Sequence, residues 1–252
     1  MSEARDMPGW TAIVLAGGLG TRLRKVCPDI PKPLVPVLGR PFLDWLLTYL
    51  QAGGFERAVI STGDRAQQFE SYNGSERIPG LDLCTVAEPE ALGTAGGFCH
   101  AAAKAKPGNH LAVCNGDSLI LTPLRPILQD FARDTADAAI VAVRVEDCSR
   151  FGTLDLDARG WLRGFREKQA GATGIVNAGV YLFRTPLLDD FPRQRPLSFE
   201  ADVFPYLIAS GHAIRAYPCA APFLDLGIPE ALAQAPAFLR SHFDAFLGQV
   251  SS

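Results

Sequence analysis

The chain has 252 residues, a formal net charge of −3, 48% hydrophobic residues and 20% charged ones. That composition can bury a core, and its charge balance gives no support to general nucleic-acid binding, which usually shows a basic excess. No apolar stretch approaches the roughly 20 residues of a membrane span, and Met1 to Pro8 lack an apolar signal core, so a single cytoplasmic domain over 1–252 is expected. Neither nucleic acid nor membrane is an expected partner. The six cysteines form no C-x-x-C pair, which argues against zinc and against a disulfide framework; they read as small buried hydrophobes.

Trp10 to Ala16 is a short apolar run before glycines and reads as a buried strand. Pro28 to Pro41 is proline-rich and must be irregular. Pro41 to Leu50 has helical spacing and is stopped by Gly53-Gly54. Strands are expected at Arg57–Ser61, Leu81–Ala87, Leu111–Cys114 and Ala136–Val145. Between them lie a weak helix at Ala66–Tyr72, an alanine-rich one at Thr94–Ala105 and another at Pro123–Arg133. This alternation predicts an α/β fold, a mainly parallel sheet with helices on both faces. After Glu146 the pattern changes. Phe151–Leu156 and Trp161–Phe165 alternate like a hairpin around Asp157-Ala-Arg-Gly160. Strands follow at Ile175–Phe183, His212–Tyr217 and Phe223–Leu226, with a helix at Ala201–Ser210. Pro229–Leu247 reads as a final helix, bent or broken at Pro236. Its Phe238, Leu239, Phe243, Phe246 and Leu247 could face the core or a second subunit, so a homo-oligomer stays open.

Several stretches carry chemistry. Leu15-Ala-Gly-Gly-Leu-Gly-Thr-Arg-Leu-Arg24 follows the first strand, and Pro31-Lys-Pro33 comes soon after. Glycines let a backbone approach an anion, successive N–H groups make a concave anion site, and Arg22 and Lys32 can grip phosphate. The loop is not a Walker motif, because no Gly-Lys-Ser/Thr follows. It half matches a dinucleotide fingerprint, with Leu23 at the third glycine position, which disfavours a nicotinamide-dependent reductase. A plain turn would use the same glycines. Asn115-Gly-Asp117 and Asp225 each leave an apolar strand, where ligands bind in open α/β sheets. Two such acids could hold one Mg²⁺, or serve as turn and capping residues. Glu88 to Gly97 is a second Gly-rich turn entering a helix: Gly93 would admit a ribose or base, and Thr94 could donate to it. Glu167 and Lys168 follow a strand, and Asn177 offers an amide to hydroxyls.

These stretches, in this order, resemble the sugar-1-phosphate nucleotidyltransferase family from about Trp10 to Pro229. The matches are the Gly-Gly-x-Gly-Thr-Arg loop, Pro31-Lys-Pro, Leu92-Gly-Thr-Ala-Gly, Asn115-Gly-Asp, Arg150-Phe-Gly152, Phe165-Arg-Glu-Lys168, Asn177-Ala-Gly179 and Leu224-Asp-Leu-Gly227. The resemblance implies a Rossmann-like nucleotide-binding part over about 10–146, an inserted β-rich sugar-phosphate part over about 147–230 and a C-terminal helix over about 229–247. It implies that Ala16, Gly17, Gly18, Gly20, Thr21, Arg22 and Lys32 hold nucleotide phosphates, with Glu88, Gly93 and Thr94 near base and ribose. Asn115, Gly152, Glu167, Lys168 and Asn177 would face the sugar phosphate, and Asp117 and Asp225 would hold Mg²⁺. Arg22, Lys32, Lys168 and Asp117 would carry catalysis. Phe151 stands where many members have tyrosine, so no hydroxyl is available there.

The reaction implied is attack of a sugar 1-phosphate oxygen on the α-phosphorus of a nucleoside triphosphate, with pyrophosphate leaving. A carboxylate at Glu88 could pair with guanine, which favours GTP. Gly39-Arg-Pro-Phe-Leu, Leu197-Ser-Phe-Glu-Ala-Asp202 and Asp225-Leu-Gly-Ile-Pro-Glu230 also resemble the heptose 1-phosphate guanylyltransferases. Mannose 1-phosphate guanylyltransferases and glucose or muramate 1-phosphate uridylyltransferases share most of these motifs. A non-catalytic nucleotide-sugar-binding subunit would be expected to lose Lys32, Asp117 or Asp225, and all three are present.

Overall fold

The computed structural model describes residues 9–18, 27–167 and 171–250. Gly20, Thr21, Arg22 and Lys168 lie outside the described residues.

Strand β1 (Trp10–Leu15) leads to a short 3-10 turn at Lys32–Leu34, a small ribbon of β2 (Pro36–Val37) and β3 (Arg40–Pro41), and helix α1 (Phe42–Ala52). Strand β4 (Arg57–Thr62), a 3-10 segment at Ala66–Tyr72 and β5 (Asp82–Ala87) follow. Helix α2 (Thr94–Ala105), β6 (His110–Asn115), β7 (Ser118–Ile120), α3 (Leu124–Arg133) and β8 (Ala138–Val145) complete the first half. The second half holds β9 (Thr153–Leu156), β10 (Leu162–Arg166), β11 (Gly174–Arg184), α4 (Phe204–Ala209), β12 (Ile214–Cys219), β13 (Phe223–Asp225) and α5 (Pro229–Val250).

Among the described residues, nine strands share one sheet: β10-β9-β11-β6-β1-β4-β5 in order, with β8 on β11 and β12 on β8. The strands β6, β1, β4 and β5 are parallel to one another, as the strand–helix alternation predicts. The sheet as a whole is mixed. Strand β11 runs antiparallel to both β6 and β8, so the later strands extend the same sheet. Successive β1 residues point to opposite faces. Ala12 and Val14 pack in one core with residues of α1, α3 and α5; Ile13 packs in the other with Phe98 of α2 and Phe204 of α4. Helices therefore cover both faces.

Three readings of the sequence change. Helix α5 runs unbroken through Pro236. Its apolar stripe, with Leu239, Phe243 and Phe246 buried, packs along the first core, where Phe243 meets Trp45 and Phe246 meets Tyr49. That packing outweighs one lost backbone hydrogen bond. Residues Phe199–Val203 form a π-helical turn ahead of α4, which is why the helix register read from Ala201 was late. Of the cysteines, Cys114 and Cys148 are buried, whereas Cys27, Cys84, Cys99 and Cys219 are only partly covered; all six are free. Among the described residues no helix is long and apolar enough to cross a membrane.

Candidate active site

The carboxyl ends of β6, β1, β4 and β5 form one continuous rim, held level by backbone bonds. Ala16 N–H donates to Ser61 O at 2.7 Å, Glu88 N–H to Thr62 O at 2.7 Å, and Gly116 N–H to Leu15 O at 2.9 Å. Glycines make this rim tight. A Cβ on Gly116 would stand 2.7 Å from Leu15 O and 3.0 Å from Pro33 Cγ. The bare backbone thus lets the Pro31-Lys-Pro33 turn close over β1 and β6.

That closure brings Lys32 to Asp117: Lys32 Nζ donates to Asp117 Oδ2 at 3.1 Å, with both side chains mostly covered. The second acid arrives through a strand pair that sequence reading missed. Strand β7 pairs antiparallel with β13, placing Asp225 opposite Ser118, the residue after Asp117. Leu226 N–H then donates to Asp117 O at 2.8 Å, and Gly227 N–H to Asp225 Oδ1 at 2.7 Å. The signal was present: Ser118-Leu-Ile-Leu121 is an apolar run directly after Asp117. Burial pushes the Asp225 carboxyl above its ordinary range, and the negative charge of Asp117 pushes it further. Arg150 and Lys32 offset part of this, with Arg150 3.7 Å from Asp225 Oδ2. Two carboxylates held together, one of them resisting ionisation, form a donor set suited to a hard divalent cation. Among the described residues no cluster of three or more His, Cys, Asp or Glu could hold a metal, so the protein offers two acids and substrate phosphates would supply the rest.

The sugar-side candidates meet at a bulge. The β11–β8 register shifts between Asn177 and Val180, and Gly179 adopts φ +77°. The bulge re-aims Asn177. Its Oδ1 accepts from Gly179 N–H at 2.9 Å, and its Nδ2 donates to Tyr181 Oη at 2.8 Å and to Glu200 Oε1 at 2.6 Å. A Cβ on Gly179 would meet the Ser118 hydroxyl and stand 3.0 Å from Asn115 Nδ2. Tyr181, buried with its hydroxyl pKa raised by that burial, also hydrogen-bonds Asn115. Asn115, Asn177, Tyr181 and Glu200 therefore form one network that ends two residues from Asp117. Tyr181 and Glu200 had not been assigned from the sequence. The Glu200 signal lay in the Leu197–Asp202 stretch already noted. Gly152 is exposed before β9, where a Cβ would stand 3.1 Å from Arg166 O. Glu167 is exposed just past β10.

Two candidates face a different way from that expected. Glu88 is turned into its own loop: Oε1 accepts from Ser61 Oγ at 3.2 Å and Oε2 from Leu92 N–H at 3.3 Å. Its carboxylate lies under Gly17 and Gly97, either of which would clash with it if given a Cβ. Burial raises its pKa. In place of an open edge for guanine, Glu88 braces the floor between the first glycines and α2. Gly93 (φ +78°) admits protein backbone: its Cβ would stand 2.5 Å from Leu197 O. Leu197 N–H donates to Leu92 O at 2.8 Å, Leu197 O accepts from Ala95 and Gly96 N–H, and Thr94 Oγ1 accepts from Phe199 N–H at 3.1 Å. Among the phosphate-loop candidates, Gly17 is close-packed on Gly63, where a Cβ would lie 2.6 Å from Gly17 O. Gly18 is exposed, and among the described residues nothing lies within 4 Å of where its Cβ would be.

The family model for nucleotidyl transferases matches residues 11–242. The mannose-1-phosphate guanylyltransferase of Mycobacterium tuberculosis is 37% identical over 221 residues, covering 87% of this chain and 61% of the relative. The chain thus spans less than two thirds of that relative. The D-glycero-alpha-D-manno-heptose 1-phosphate guanylyltransferase of Aneurinibacillus thermoaerophilus is 32% identical over 224 residues, covering 87% of this chain and 94% of the relative. The crystal structure of HddC from Yersinia pseudotuberculosis complexed with GMP-PN superposes with a TM-score of 0.78 at 33% identity, covering 90% of this chain and 98% of that one. With the glycine-tightened rim and the paired acids at its centre, the chain belongs to the nucleotidyl transferase family, and its relatives include sugar-1-phosphate guanylyltransferases.

Proposed function

We propose that the protein is a guanylyltransferase that joins GTP to D-glycero-D-manno-heptose 1-phosphate, giving GDP-heptose and pyrophosphate. The observation that carries the transfer reaction is the joining of Lys32, Asp117 and Asp225 at the strand ends, beside the Asn115–Tyr181–Asn177–Glu200 network. One group of residues suits phosphates and a cation; the other suits hydroxyls. Guanine as the base is favoured by the guanylyltransferase relatives. Heptose is favoured by the similarity to heptose enzymes and by Glu200, an exposed acceptor beside Asn177 for a sugar with one more hydroxyl than a hexose. Mannose 1-phosphate is the second reading, carried by the relative at 37% identity.

An oxygen of the sugar 1-phosphate attacks the α-phosphorus in line; the α–β bridging bond breaks and its electrons leave with pyrophosphate. No protein nucleophile is required, because the attacking phosphate is already ionised, so catalysis is positioning and charge stabilisation. Lys32 serves the triphosphate, and Arg22 and Lys168 are proposed to serve the leaving pyrophosphate and the attacking sugar phosphate. Asn177, held by Tyr181 and steered by Glu200, orients the sugar. Mg²⁺, held by Asp117 and Asp225 together with substrate phosphates, would supply charge neutralisation at the reacting phosphates. With the cation bound, Asp117 would be a ligand to it and Lys32, its present partner, would be available to the triphosphate. The test is pyrophosphate release across the four nucleoside triphosphates and a panel of sugar 1-phosphates. GTP with the heptose phosphate should give the highest kcat/KM. Preference for UTP or dTTP would overturn the guanine assignment, and preference for mannose 1-phosphate would move the sugar.

A further inference from the structure

At the amino end of β6, away from the paired acids, a cavity of about 680 Å³ lies between the C-terminal half of α2 and the segment from Thr185 to Arg195. That volume lies within the usual range for small-molecule sites, ~300–1,000 Å³. Its rim carries three cations, Lys106, Arg193 and Arg195, and one carboxylate, Asp189. Six other arginines sit in ion pairs with aspartates: Arg57, Arg77, Arg150, Arg163, Arg166 and Arg215. Among the described residues, the two arginines of this cavity are in no ion pair. Arg193 donates, among the described residues, only to the backbone oxygen of Asp189, and Arg195 only to that of Gln194. Lys106 likewise makes no ion pair among the described residues, and the α2 C-terminus it follows is already served by Arg57, which donates to Ala105 O at 3.0 Å. Gly96 makes room for Arg195 to lie along α2: a Cβ there would stand 3.3 Å from Arg195 Cδ. The floor is apolar, from Ala102, Ala103 and Leu188, and Asn109 supplies an amide.

Unpaired guanidinium groups beside an apolar floor suit an anion with a ring attached. We propose that this cavity is a second ligand site that binds a nucleoside diphosphate, its phosphates on Arg193, Arg195 and Lys106 and its ring over Ala102, Ala103 and Leu188. The site lies outside the proposed transfer centre and does not depend on that reaction.

Equilibrium dialysis of the full chain with GDP reads the site directly. The Arg193→Ala/Arg195→Ala variant should bind one GDP per chain fewer than wild type, whether or not the transfer centre also binds GDP. Both arginines are exposed, so the variant is expected to fold. Unchanged stoichiometry would overturn the proposal. Alkylation of Cys99, which lines the cavity, followed by peptide mass spectrometry locates the ligand. At GDP tenfold above its Kd the free fraction, and with it the labelling rate of Cys99, should fall to about one tenth. The fall should persist in Asp117→Asn. Its loss there would place the ligand at the transfer centre and overturn the second site. Equal protection by inorganic pyrophosphate would overturn the part assigned to the apolar floor.

Discussion

Replacing Asp225 with asparagine should stabilise the protein while disabling it. The carboxylate of Asp225 is three-quarters covered and faces Asp117, and both facts raise its pKa. In the folded protein without a divalent cation its ionised form is therefore a burden. Asparagine keeps the acceptor for Gly227 N–H, a bond of 2.7 Å, and removes the charge. What it gives up is the pair with Arg150, which is long at 3.7 Å and involves a 39% exposed arginine. Such a pair contributes about 0–1 kcal/mol. The sign is therefore stabilising, and each 1 kcal/mol gained corresponds to a rise in Tm of roughly 2–4 °C for a chain of this size. The pH dependence follows from the raised pKa. A group whose folded pKa lies above its unfolded value contributes stability that is fully present below the unfolded pKa and is lost as pH rises through the folded pKa. The advantage of asparagine should accordingly be complete at neutral pH and vanish below about pH 4. Added Mg²⁺ should raise the Tm of wild type more than that of the variant. Transfer activity should fall about 10²-fold or more if the acid acts through the cation in the transition state. Thermal melts in chelator from pH 4 to 8, with parallel pyrophosphate-release assays, make the comparison. A variant that melts below wild type at pH 7 without metal, or one that turns over normally, would refute the reasoning.

Lys32→Ala should lower kcat/KM for GTP about 10²-fold or more, and pyrophosphate release in initial-rate assays measures it. Tyr181→Phe removes only the hydroxyl shared by Asn177 and Asn115; it should raise KM for the sugar phosphate about tenfold while KM for GTP holds, the split expected when an amide is left unsupported. Gly93→Ala places a Cβ against the Leu197 backbone at φ +78°; strain and disturbed hydrogen bonds together should cost about 3–5 kcal/mol, read as a large drop in Tm by thermal melt. Glu200→Gln keeps an acceptor for the Asn177 amide and removes the charge; it should alter the ratio of kcat/KM between heptose and mannose 1-phosphates and leave GTP affinity unchanged.

The parallel core was legible because strands buried on both faces read as apolar runs, as in Leu111 to Cys114, and because glycines and prolines mark where they end. Acids leaving such strands were legible for the same reason. Strand β7 was harder: three residues give too short a pattern to separate from a turn, yet its pairing with β13 is what places Asp225 beside Asp117. The direction of Glu88 was not legible at all. Whether a carboxylate faces outward or inward depends on Ser61 and Gly97, 27 and 9 residues away, and local pattern carries no such information. The positive φ of Gly93 was equally silent about what would approach it, since a ligand and the chain's own backbone use the same missing Cβ. Helix α5 shows the opposite error: a local rule about proline was applied where tertiary packing decides.

The clasp between Leu197 and the start of α2 has a mechanical consequence. Leu197 is anchored by its N–H to Leu92 in the loop that follows Glu88 and by its C=O to the first turn of α2, and three residues later Glu200 holds Asn177. The strap from 197 to 200 is too short to slacken. A displacement at the start of α2 must therefore be felt at the Asn177 amide. If, as proposed, α2 borders the nucleotide and Asn177 the sugar, occupancy of one half should preshape the other, and the order of substrate binding should respond to a single residue inserted into that strap.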